Sequence, residues 1–158
     1  MSGAHAAESP AKSRVVPIRL GGAGMAATFA VVGVIFVAIP DQVLAAFNYL
    51  ARGIGWPQSP TEAHTVFLAL AVGYMYVVTV LAMQMARRPT ERAWPWVLAQ
   101  AKAASAVLSL ALFVAGGWYL ICLANFIVDA AIAAAVWMLC LRAVVDSAGS
   151  ATLPEPPS

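Results

Sequence analysis

Residues 95–141 read PWVLAQAKAASAVLSLALFVAGGWYLICLANFIVDAAIAAAVWMLCL. Two apolar runs, 95–116 and 118–141, flank the pair Gly116-Gly117. Each is long enough for the roughly 20 apolar residues that a bilayer-spanning helix needs. Each holds a single charge, Lys102 in the first and Asp129 in the second. The Gly-Gly break leaves room only for a tight reversal, so the two runs are expected to be antiparallel neighbours. Counted outward from that reversal, Lys102 and Asp129 reach similar depths, within roughly 3 Å at 1.5 Å of rise per residue.

An ionisable group at that depth costs at least about 2.5–3.5 kcal/mol on insertion scales, so it needs a partner or a task. The faces that carry the two charges are small and polar. On one helix Lys102, Ser105, Ala106 and Ser109 share a stripe; on the other Cys122, Asn125, Asp129, Ala133, Val136 and Cys140 recur at helical spacing. Small residues let membrane helices approach closely, and polar ones bond across the gap. Lys102, Asn125, Asp129, Ser105 and Ser109 are therefore the candidate intramembrane polar cluster. Three roles stay open for the charges. They form a structural bridge within the hairpin; Lys102 snorkels to the headgroups; or Asp129 lies on a proton, ion or substrate path.

Upstream, the run 20–39 is uncharged and ends at Pro40-Asp41. It is longer than a signal-peptide core and lacks a cleavage-site pattern behind it, so it is expected to be a retained helix. Gly22, Ala26, Ala30 and Gly33 lie on one of its faces and form a helix-packing seam of small residues. In the segment 41–52, Val43, Leu44, Phe47, Leu50 and Ala51 recur at helical spacing, with Asp41, Gln42, Asn48 and Arg52 mostly elsewhere. This predicts a short amphipathic helix in the interface plane, with Phe47 and Leu50 toward lipid or protein. Gly53, Gly55, Trp56, Pro57 and Pro60 then make a turn-rich connection. Ser59, Pro60 and Glu62 have the spacing of a capping box with proline at the first helical position. The uncharged run 65–86 that follows ends at Arg87-Arg88-Pro89. Tyr74, Tyr76 and Thr79 within it are expected to pack, with their hydroxyls bonded to neighbouring helices.

The fold expected is all-α: a four-helix transmembrane bundle over 18–143, with a short interfacial helix after the first span. Spans are expected near 18–40, 62–87, 93–116 and 118–142. Tails at 1–17 and 144–158 are disordered in composition. Crossing four times puts Lys12, Arg14, Arg19, Arg87, Arg88, Arg92 and Arg142 on one side, and Arg52 with Asp41 and Glu62 on the other. The positive-inside rule then places the first group, and both termini, in the cytoplasm of a cell-membrane protein. Trp94 and Trp96 sit at the inner interface in this scheme, and Tyr49, Trp56, Trp118 and Tyr119 at the outer one.

Composition bounds the function classes. Of 158 residues, 62% are apolar and 10% charged, against about 25% charged in an ordinary soluble domain. A net charge of +2 with no basic run does not fit a nucleic-acid binder. Cys122 and Cys140 would lie roughly 27 Å apart along one helix, too far for a disulfide. No catalytic motif of hydrolase, metalloprotease or P-loop type is present. His64 is the one histidine near the spans, so two haem ligands cannot come from one subunit. No Cys/His/Asp/Glu spacing suits a metal. No catalytic residue, metal or cofactor is therefore expected, and an enzyme is the least favoured class.

Four helices with an interfacial segment after the first are similar in layout to small DoxX-like bacterial membrane proteins, over 18–143. The similarity rests on layout, and no function or residue is carried over from it. The partners expected are the lipid bilayer and either other subunits or copies of this chain. Two readings follow. One is an accessory or scaffolding subunit of a larger membrane complex. The other is a small oligomeric transporter or proton-coupled carrier using the Asp129–Lys102 pair.

Overall fold

The computed structural model describes residues 10–60 and 64–150, with side chains over 16–60 and 68–141. The chain is all-helical there. It forms α1 (Pro10–Ala38), α2 (Pro40–Gly53), α3 (His64–Arg87), α4 (Ala93–Gly116) and α5 (Leu120–Ser150). Four of these helices are long and apolar enough to span a membrane, over Val16–Ala38, Leu68–Arg87, Ala93–Gly116 and Leu120–Leu141.

Some boundaries differ from the sequence expectation. α1 starts at Pro10, ahead of the boundary at 18. Proline suits a first helical position because its missing N–H has no partner to lose there. Pro17, inside α1, does lose one intrahelical bond, yet the helix continues through it. α5 continues to Ser150, past the expected end at 142, and starts at Leu120 rather than 118. The late start follows from the α4–α5 turn, where Gly117 (φ 119°) and Trp118 (φ 66°) are both left-handed. The Trp118 N–H closes α4 by donating to the Phe113 carbonyl at 3.0 Å. The tail residues 1–9 and 151–158, and the Glu62 arm of the capping box, lie outside the described residues.

α1 and α2 are separate because Ile39 precedes a proline. A residue in that position is pushed out of the helical region, and Ile39 sits at φ −140°. Pro40 and Asp41 then start α2 favourably, and Arg52 in the last turn complements its dipole. The buried residues of α2 include an amide. Asn48 and Ala51 are its buried residues, whereas Leu50 is 57% exposed. The reason is the connection to α3. The Asn48 amide donates to the Ser59 carbonyl at 3.1 Å, and Asn48 Oδ1 accepts from the Ser59 N–H at 2.8 Å. One side chain thus satisfies both backbone groups of a loop residue, which favours burying an amide over a leucine. Trp56 from the same loop packs on Phe113 (5.8 Å between ring centroids), and Phe113 on Trp118 (5.2 Å).

α1 packs on α3 and α4 on α5, with α3 joining the two pairs through α4, and α2 resting against α1 and α5. The seam of small residues on α1 faces α3. A Cβ placed on Gly22 would fall 2.8 Å from the Ala86 nitrogen and 2.9 Å from the Ala82 oxygen. Only a glycine admits so close a backbone approach. Farther along, a Cβ on Gly33 would meet the Met75 Cβ at 3.4 Å. Ala26 packs on the core, and Ala30 lines a groove between α1 and α3 of about 330 Å³. The core itself draws on all four long helices: Phe29, Val78, Ala82, Met85, Leu98, Ala99 and Val136. It lies toward the α3–α4 connection. Cys122 and Cys140 are both free.

Candidate functional site

α4 and α5 face each other through the stripes that carry Lys102 and Asp129. The Gly117–Trp118 reversal sets their register, and the two side chains meet. Lys102 Nζ donates to Asp129 Oδ1 at 2.7 Å. Lys102 and Asp129 are each 2% exposed, so Lys102 is not snorkelling.

The lysine is also enclosed by aromatic faces. Its ammonium lies 4.6 Å from the centroid of the Phe29 ring on α1 and 5.0 Å from that of the Tyr74 ring on α3. A cation over an aromatic face gains up to about 2 kcal/mol when desolvated. All four long helices therefore contribute to one charged centre. Tyr74 is fixed in turn, its hydroxyl donating to the Ala101 carbonyl at 2.9 Å. Ser105 lies beside the Tyr74 hydroxyl.

Asp129 is less completely served. Its Oδ1 carries the bridge, but its buried Oδ2 has no hydrogen-bond partner among the described residues. Leaving a buried acceptor unsatisfied costs about 1–3 kcal/mol, and more for a charged one.

The expected polar cluster divides into two stations. Lys102, Asp129 and Ser105 belong to the one just described, with Tyr74 and Phe29. Nearer the α4–α5 turn, the Asn125 amide donates to Ser109 Oγ at 2.6 Å. Ser109 is buried and Asn125 exposed, so this second station is a cross-helix clasp at the bundle surface. Phe29 and Tyr74 were not singled out from sequence as partners of Lys102. Phe29 carried a signal: it falls on the same α1 face as Gly22, Ala26 and Gly33. Of the hydroxyls expected to reach neighbouring helices, that of Tyr74 does so. Thr79 bonds back to its own helix at the Met75 carbonyl (2.6 Å), and Tyr76 is 71% exposed beside the groove.

Among the described residues no group of three or more His, Cys, Asp or Glu side chains is placed to hold a metal. The α1–α3 groove is lined almost wholly by apolar side chains, Phe29 among them. Comparison with protein-family models, with curated proteins and with solved structures gives no match.

Proposed function

We propose that this chain is a multi-pass protein of the cell membrane that serves as an accessory or scaffolding subunit of a larger membrane complex. Both termini face the cytoplasm, and α2 lies along the outer surface. The observation that supports this reading most is the closure of the charged centre. Lys102 and Asp129 neutralise each other at 2.7 Å and are nearly fully buried. Phe29 and Tyr74 cover the ammonium. A pair held this way fixes how four helices meet and presents no nucleophile or titrating group to a ligand cavity. Its task is then architectural, and the bundle acts through the surfaces it offers to other membrane proteins.

A second reading, a small oligomeric transporter or proton-coupled carrier, draws support from one feature. Asp129 Oδ2 is a buried acceptor without a donor among the described residues, as would suit a carboxylate that binds a proton or a ligand hydroxyl during a cycle. Against it, the spans lack the mid-membrane breaks that transporters commonly use to build their sites.

Purification in a mild detergent followed by native mass analysis separates the two. Stoichiometric foreign subunits support the accessory reading. A pure homo-oligomer overturns it in favour of the carrier.

A further inference from the structure

The end of the bundle nearest the α3–α4 connection carries a concentration of arginine that the helix packing holds in place. Gly22 brings the backbones of α1 and α3 into contact at Ala82 and Ala86. Arg19 lies three residues before Gly22 on α1, on the same helical face and one turn nearer the end. Arg87 directly follows Ala86 and ends α3. Arg87 thus ends α3, and Arg19 lies in the first turn of the apolar span Val16–Ala38, next to the close approach of the two helices at Gly22. Both are exposed, and neither has a side-chain partner among the described residues.

The nearby acid is already engaged. Glu91 accepts from Arg88 at 3.3 Å through Oε1, and from the Trp94 indole N–H at 2.6 Å through Oε2. Among the described residues no acid side chain pairs with Arg19 or Arg87. Trp94 and Trp96 start α4 at the same level, where indoles sit at the headgroup boundary.

We infer that Arg19 and Arg87 form a docking site for the phosphodiester of an anionic phospholipid in the cytoplasmic leaflet. Three features fit that partner. The charge is positive and unpaired. The guanidinium fork matches phosphate oxygens in a bidentate way that an ammonium does not. The position, at the end of two spans beside indoles, is that of a headgroup. The inference rests on the multi-pass reading above, with these arginine ends in the cytoplasm.

The test uses the full-length protein, purified in a neutral detergent and stripped of lipid. Its thermal unfolding midpoint is followed as phosphatidylglycerol, or phosphatidylcholine with the same acyl chains, is added to the micelles. Phosphatidylglycerol should raise the midpoint more than phosphatidylcholine, and added salt should reduce the difference. In the double variant Arg19→Gln with Arg87→Gln, most of the difference should vanish. In Arg52→Gln, at the other end of the bundle, it should persist in full. Arg19→Lys with Arg87→Lys should keep only part of it, since charge remains but the fork is lost. Equal midpoints with both lipids overturn the inference, as does a double glutamine variant that keeps the whole effect. Inorganic phosphate reproducing the shift without lipid also overturns it, pointing to a soluble anion. Micelles have no sidedness, so these outcomes are independent of orientation, which cysteine labelling of intact cells scores separately.

Discussion

The Lys102 ammonium is bonded at 2.7 Å to Asp129 Oδ1 on the neighbouring helix, and the rings of Phe29 and Tyr74 flank it from the other two long helices. Burial makes the arrangement consequential. In lipid the hydrophobic effect does not draw helices together, so packing and interhelical polar contacts must do so. One ion pair with two aromatic faces links four helices at a single point, and each partner is costly to leave alone there.

The aromatic enclosure should be measurable. Tyr74→Phe keeps the ring but removes the bond to the Ala101 carbonyl, and is expected to cost about 1 kcal/mol. Tyr74→Leu also removes the face under the ammonium and should cost more than Tyr74→Phe, by up to about 2 kcal/mol. Thermal unfolding in detergent of wild type and both variants gives the comparison. Equal losses would show that the ring face contributes nothing.

The tight approach of α1 and α3 at Gly22 predicts a sharp contrast between two glycines one turn apart or less. Gly22→Ala drives a methyl to 2.8–2.9 Å from the α3 backbone, so α1 must shift. The expected loss is about 1–3 kcal/mol, as for overpacked cores. At Gly24 a Cβ meets nothing within 4 Å, so Gly24→Ala should be neutral or slightly stabilising through helix propensity. Unfolding midpoints that fall equally for both would contradict the packing described.

Asn48 governs the α2–α3 connection through its two bonds to Ser59. Asn48→Ala frees the loop that begins just after Arg52. Limited trypsin digestion of the solubilised protein should then cut after Arg52 faster than in wild type. An unchanged rate would mean that the loop is held by Trp56 and its aromatic neighbours instead.

Orientation is open to direct labelling. In a background where Cys122 and Cys140 are replaced by alanine, Ser59→Cys should react with an impermeant thiol reagent in intact cells, and Ser13→Cys should not. The basis is the side shared by Arg19, Arg87, Arg88 and Arg92. The opposite pattern would invert the topology.

Much of this architecture was legible in the sequence, because in long apolar runs length, charge and turn chemistry are strong constraints. The Gly116-Gly117 reversal set the depth of Lys102 against Asp129 by simple counting, and small residues on α4 and α5 indicated which faces meet. The aromatic enclosure was not legible in the same way. Phe29 and Tyr74 reach Lys102 only because α1 and α3 pack on each other and then on α4, and pairing across three helices leaves no local pattern. The burial of Asn48 was not legible for a related reason. On a helical wheel an amide belongs to the polar face, but here it is buried to satisfy the backbone of a loop eleven residues away. The start of α5 was displaced because Trp118 takes a left-handed conformation that bulky residues seldom adopt.

A double-mutant cycle on unfolding stability in detergent measures the coupling between Lys102 and Asp129. Asp129→Asn and Lys102→Met should each be strongly destabilising, by an amount approaching the about 3–5 kcal/mol seen when one partner of a buried pair is removed. The double variant strands no charge, so it should recover much of the loss and show a large coupling energy. Two single losses that simply add in the double variant, with no coupling, would contradict the structural role assigned to the pair.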